Sequence, residues 1–218
     1  MIRTGREVAA QTIICGALGF RASLEVTEHI RATELCSQLL PWLEQLGLGA
    51  QINAFHREIL GSSRGDLPRE SQTEAFWRGE STSLLAWAIQ LLDKPNPTTS
   101  IDPSLLVTNL RILQPTAGEI LSSAALRSQT EIEDYCAYCL TVRHHFQLAI
   151  LPADAQATLS RIHQTKLAEL GLGQAYHRLK EIDEAAALAS KMSSVKGLYV
   201  IRALTAEWLL GTDESLAP

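Results

Sequence analysis

No run in this chain comes near the ~20 consecutive apolar residues of a membrane-spanning helix, and the first twenty residues hold an acidic side chain and no extended apolar core of the signal type. A membrane is therefore not an expected partner, and the chain reads as cytoplasmic. Nor are Lys and Arg concentrated anywhere. Nineteen basic against 24 acidic residues leave a net charge of -5, which argues against nucleic acid, whose phosphates require a clustered basic surface. Another protein is a compatible partner, a basic one included. Cysteine is sparse: Cys15, Cys36, Cys136 and Cys139 are too scattered for a disulfide framework and read as reduced interior thiols. A glycine-rich phosphate loop, a nucleophile elbow and a His-Glu-x-x-His pattern are all missing, so no cofactor is implied and no catalytic residue can be assigned. Strand-type alternation is absent too, which predicts an all-α fold.

What is there is ample material for a core. With 218 residues, 46% of them apolar and 20% charged, the chain can form one large domain or one domain with an appendage. Arg6 to Phe20 is apolar on nearly every side and predicts a central, enclosed helix. Val26 to Leu40 has helical spacing, which Pro41 should end or kink ahead of a short Trp42 to Leu46 helix that Gly47 closes. Further helices are expected over Gln51 to Leu60, Ser71 to Leu92, Pro103 to Leu113, Pro115 to Leu126, Ser128 to Ile150 and Asp154 to Leu170. Pro95 and Pro97 break the chain after the Ser71 to Leu92 helix, and Ser128 with Glu131 forms a capping-box pattern.

Two charged residues stand out. At ~100° per residue, Glu80 projects onto a stripe with Phe76, Trp77, Leu84, Trp87 and Leu91, and a carboxylate there needs a cation, a proton or hydrogen bonds. On the Ser128 to Ile150 helix, Arg143 projects onto a stripe that holds Tyr135, Cys136, Cys139, Phe146 and Ile150. The economical expectation is that Glu80 and Arg143 meet, either as an ion pair that fixes helix register or as the polar centre of a pocket. In the pocket alternative Arg78 joins them and Trp77 and Trp87 form apolar walls. Cys136 and Cys139 beside His144 and His145 invite a zinc site, but the histidines turn ~80° and ~180° away from Cys136, so no metal is expected and the histidines read as exposed. Arg143 near the two sulfurs could lower a thiol pKa. His56, His163 and His177 read as isolated surface residues.

The run Phe76-Trp77-Arg78-Gly79-Glu80, followed by Leu84-Leu85-Ala86-Trp87-Ala88 and the Pro95/Pro97 break, resembles the bacterial family called domain of unknown function 4272, with its Trp-Arg-x-Glu motif, Leu-x-Trp-Ala segment and prolines. Arg6-Glu7-Val8-Ala9-Ala10 is similar to that family's opening helix, and Glu131-Ile132 with Asp134 to a later element. The resemblance covers residues 1–171. It implies a helical fold and the importance of Trp77, Arg78 and Glu80, and it implies no reaction. Leu172-Gly173, Tyr176 and Asp183-Glu184-Ala185 have the spacing of a single tetratricopeptide-like hairpin, which predicts a helical cap over 172–211 and a tail over 212–218. The function expected from these features is a non-enzymatic interaction module, immunity-type or scaffolding. The alternative is a small enzyme or ligand-binding protein with its pocket around Glu80 and Arg143.

Overall fold

A computed structural model describes residues 2–179, 188 and 192–212. Among the described residues there are ten α-helices, one 3-10 turn and no strand, and the fold is all-α. No described helix is long and apolar enough to cross a membrane. The chain divides into two compact units. Among the described residues the first comprises 4–95 and 100–126, and the second comprises 2–3, 96–99 and those from 127 to 212. The boundary expected at 171 falls inside the second unit.

The first unit is built on α1 (Gly5–Val26), buried on nearly every side from Val8 to Leu24. A capping box starts it: Thr4 Oγ1 accepts from the Glu7 amide at 3.3 Å, and Glu7 Oε2 accepts from the Thr4 amide at 2.8 Å. Around it pack α2 (Ala32–Gln45), α3 (Ala54–Gly61), α5 (Pro103–Asn109) and α6 (Ala117–Ser123), but its main partner is α4 (Arg69–Ala88). Those two helices touch backbone to backbone. A Cβ added to Gly19 would stand 2.5 Å from Gly79 Cα, and one added to Gly79 would stand 2.8 Å from Gly19 Cα. Only glycine at both positions permits this approach.

Several boundaries differ from expectation for local reasons. Pro41 lies inside α2 and does not end it, because Ala32, Cys36, Leu39 and Leu43 carry one buried face past an exposed proline. The separate Trp42 to Leu46 helix is thus the last turn of α2. It closes at Gly47 (φ 75°), where the Leu48 amide reaches back to the Leu43 carbonyl at 3.0 Å. Helix α4 stops short of Leu92: Gln90 takes a left-handed conformation (φ 65°), and the Leu91 amide bonds the Ala86 carbonyl at 2.9 Å. Gln51 belongs to the 3-10 turn Gly49–Gln51, and Asn53 starts α3 by accepting from the His56 amide at 2.7 Å.

In the second unit α7 (Gln129–Leu148) packs against α8 (Ala153–Glu169), α9 (Gly173–Arg178) and, most extensively, α10 (Met192–Leu209). Ser128 and Glu131 form the expected capping box at its start. The first half of the repeat-like hairpin corresponds to α9; Asp183-Glu184-Ala185 lies outside the described residues, as does the tail beyond Thr212.

Candidate functional site

Glu80 is buried, with 1% of its surface exposed, one residue beyond the Gly79 contact with α1. The stripe around it differs from the projection. From Gly79 to Ala88 every residue of α4 is buried, so that half of the helix has no single apolar face, and Phe76 is 46% exposed. Glu80 Oε2 accepts the Ile101 amide at 2.9 Å, while the Ser83 hydroxyl lies 2.7 Å from the Glu80 carbonyl oxygen and 3.3 Å from Oε1. The carboxylate therefore fastens the chain just ahead of α5 to the middle of α4. A charge bonded to a fixed amide in this way stabilises a loop more strongly than a neutral acceptor does.

Arg78, on the other side of Gly79, donates from Nε to Glu74 Oε1 at 2.6 Å. It borders two buried groups of α1 and α3. His56, expected at the surface, is 1% exposed, with Nδ1 buried and given no hydrogen bond among the described residues; burial, assisted by the Arg78 charge, lowers its pKa to about 4 and keeps it neutral. Burial raises the Cys15 thiol to about 11, with Arg78 opposing. The two tryptophans do not form facing walls. Trp77 is half-buried, edge-on to Phe76 at 5.2 Å, and Trp87 lies in the core.

The carboxylate partner of Arg143 is Glu207 on α10, and this corrects the expected pairing with Glu80. Arg143 Nη2 lies 3.0 Å from Glu207 Oε1, and Lys166 Nζ of α8 lies 2.6 Å from the same oxygen; Glu207 is almost fully buried. His144, expected to be exposed, is buried. Its ring stacks on that of His163 at 4.2 Å and 5°, and Tyr176 of α9 meets His163 edge-on at 6.0 Å. Cys136 and Cys139 are fully buried and in no disulfide, and burial pushes the Cys136 thiol well up, against the activation that Arg143 suggested. No group of three or more metal-binding side chains converges among the described residues.

The sequence reading missed Arg202, Glu207 and the tyrosines around them. Arg202 is 1% exposed, donates to the carbonyls of Asn96 (2.9 Å) and Thr99 (3.3 Å), and lies over the Tyr199 ring; Tyr138 and Tyr199 hydroxyls are 3.2 Å apart. Val195, Leu198, Tyr199, Arg202, Ala206 and Leu209 recur at helical spacing, so projecting α10 as well would have placed Arg202 on the buried face.

The first unit also carries two clefts along the C-terminal half of α1. One, of about 530 Å³, lies among α1, the start of α2 and α5, lined by Phe20, Leu24, Leu35, Val107 and Ile112 together with the polar His29 and Asp102. The other, of about 380 Å³, lies between α1 and α4 against Ala22, Val26, Phe76 and Trp77. Ser23 and Pro103 belong to both, so the clefts are neighbours. Of their lining residues Val26 is 81% and Phe76 46% exposed, and Ile30, next in sequence to His29, is 97% exposed.

Comparison with protein-family models, with curated proteins and with solved structures finds no match to this chain.

Proposed function

We propose that this chain is a protein-interaction module whose partner lays apolar side chains into the double cleft along α1. The observation that carries this reading is the pair of large apolar residues, Val26 and Phe76, left in water in the lining of one of two adjoining concave apolar surfaces, with the exposed Ile30 next in sequence to His29, which lines the other. Apolar area held in water beside concave surfaces is what an interface uses. The occupant we favour is a segment of another protein with at least two apolar anchors, one for each cleft. The net charge of -5 suits basic residues on either side of those anchors. The Trp77-Arg78-Gly79-Glu80 motif, which resembles the domain of unknown function 4272 family, then serves as scaffold: Trp77 lines a cleft, Gly79 seats α4 on α1, and Glu80 fastens the approach to α5. The rival pocket around Glu80, Arg78 and Arg143 has less support, since Glu80 bonds the Ile101 amide, Arg78 bonds Glu74 and Arg143 bonds Glu207.

A photo-crosslinking amino acid at position 30, introduced in the native host, tests the reading. It should join this chain to one other protein, and Val26→Asp with Phe76→Ser should abolish the adduct while circular dichroism stays unchanged. Crosslinks only to a second copy of this chain, or an adduct indifferent to the two substitutions, would sink it.

A further inference from the structure

Helix α8 is held unusually. Of its seventeen residues only Leu167 is fully buried; the half-buried set is Ala155, Gln156, Leu159, Ser160, His163 and Lys166. Little apolar area therefore fastens it, and much of its described attachment runs through groups that respond to protons. His163 stacks face to face on His144 of α7, and the Ser160 hydroxyl lies 3.4 Å from His144 Nε2. Lys166 reaches Glu207. His163 Nε2 is buried with no hydrogen bond among the described residues.

We propose that α8 is an acid-released strap, held on α7 while the His144–His163 stack is neutral and let go when both rings charge. Two parallel rings 4.2 Å apart attract when neutral and repel as imidazolium ions. The groups around them make the charged state worse. On α7 these are Arg143 and His145, and on α8 itself Lys166; α9 offers the neutral Tyr176, and α10 contributes Glu207, whose Oε1 is already shared by Arg143 and Lys166. Accordingly both histidines are shifted down, chiefly by burial, His163 to about 4. In the released helix each returns to about 6.5, so between pH 6.5 and 4 the released state binds more protons and attachment weakens as pH falls. For His163 alone this linkage raises the released fraction about twentyfold between pH 7 and pH 5, and His144 adds to it.

Hydrogen exchange, corrected for the intrinsic pH dependence of amide exchange, tests this on the whole chain. The released fraction read from amides of 153–169 should rise at least twentyfold from pH 7 to pH 5, while those of 8–24 keep their protection. His163→Phe, which keeps a stacking ring without a titrating nitrogen, should remove most of that rise. Protection of 153–169 that is flat across this range, or a rise that persists unchanged in both His163→Phe and His144→Phe, would overturn the proposal. Should either variant fail to fold, imidazole proton resonances of the unsubstituted protein decide: His144 and His163 should titrate together with the shifts of α8 amides, and titration near pH 6.5 with α8 undisturbed would refute it.

Discussion

Where α1 crosses α4 two glycines face each other with no room for a Cβ, whereas α7 and α10 meet through tyrosine rings, a guanidinium and a carboxylate. The first contact works by having nothing in the way, so backbones approach and a large dry area is buried. The second works by filling space with large amphipathic groups whose polar ends must be matched. Buried charge is used differently as well. In the first unit it mostly holds loops: Arg21 pairs with Glu25 and donates to the Ser62 and Ser63 carbonyls, and Glu80 holds the Ile101 amide. In the second, Arg202 also holds a loop, through the Asn96 and Thr99 carbonyls, but Glu207 ties α10 to α7 and α8 at once. Shape therefore limits the first unit, and matched polarity limits the second.

That contrast can be broken most severely at the glycine crossing. Gly79→Val puts a Cβ 2.8 Å from Gly19 Cα, inside van der Waals contact, and should cost about 3 kcal/mol or more, read from urea denaturation. A value below about 1 kcal/mol would mean the helices can separate at little expense and that shape is not the limit. Next in size is Glu207→Gln, which leaves Arg143 and Lys166 facing a neutral amide. A loss of about 2 kcal/mol is expected, moderated because both cations can reach water, and Arg143→Met in the same background should add little.

A test by pH comes third. His56 has a folded pKa lowered to about 4 against about 6.5 unfolded, so its contribution is fully present above pH 6.5 and is lost as pH falls toward 4, at up to about 1.4 kcal/mol per pH unit. His56→Phe should flatten that part of the stability profile; an unchanged slope would assign the acid sensitivity to other groups. Smallest is Glu80→Gln, which keeps an acceptor for the Ile101 amide but gives up its charge. About 1 kcal/mol is expected, with faster exchange at Ile101 as the local sign. A loss as large as that of Glu207→Gln would erase the distinction between charges that hold loops and charges that join helices.

Features set within one turn of chain could be read in advance. Ser128 and Glu131 form their capping box because both partners lie three residues apart, and Glu80 is buried as the 100° projection required. The projection failed on Phe76 for a physical reason: a helix enclosed all round over half its length has no direction in which to sort its side chains. The partner of Arg143 was hidden by distance, since Glu207 lies 64 residues further on and the chain between gives no hint that α10 returns to α7. His144 and His163 likewise come from different helices, and neither spacing alone predicts a stack. Pro41 misled because proline's penalty in a helix is modest beside a buried face that runs through it. The clefts were not foreseen, because they arise between helices whose sequences look ordinary one at a time.

The cysteines make this molecule its own chemical clock. Cys15 and Cys36 sit in the first unit, Cys136 and Cys139 in the second, all four sealed from solvent and unjoined, and burial holds the thiols of Cys15, Cys36 and Cys136 above their ordinary pKa. A maleimide can reach any of them only after the helices around it part, so the labelling rate counts openings and not intrinsic reactivity. Variants that keep one cysteine at a time would let each unit report its own opening frequency, with no foreign probe inside the core.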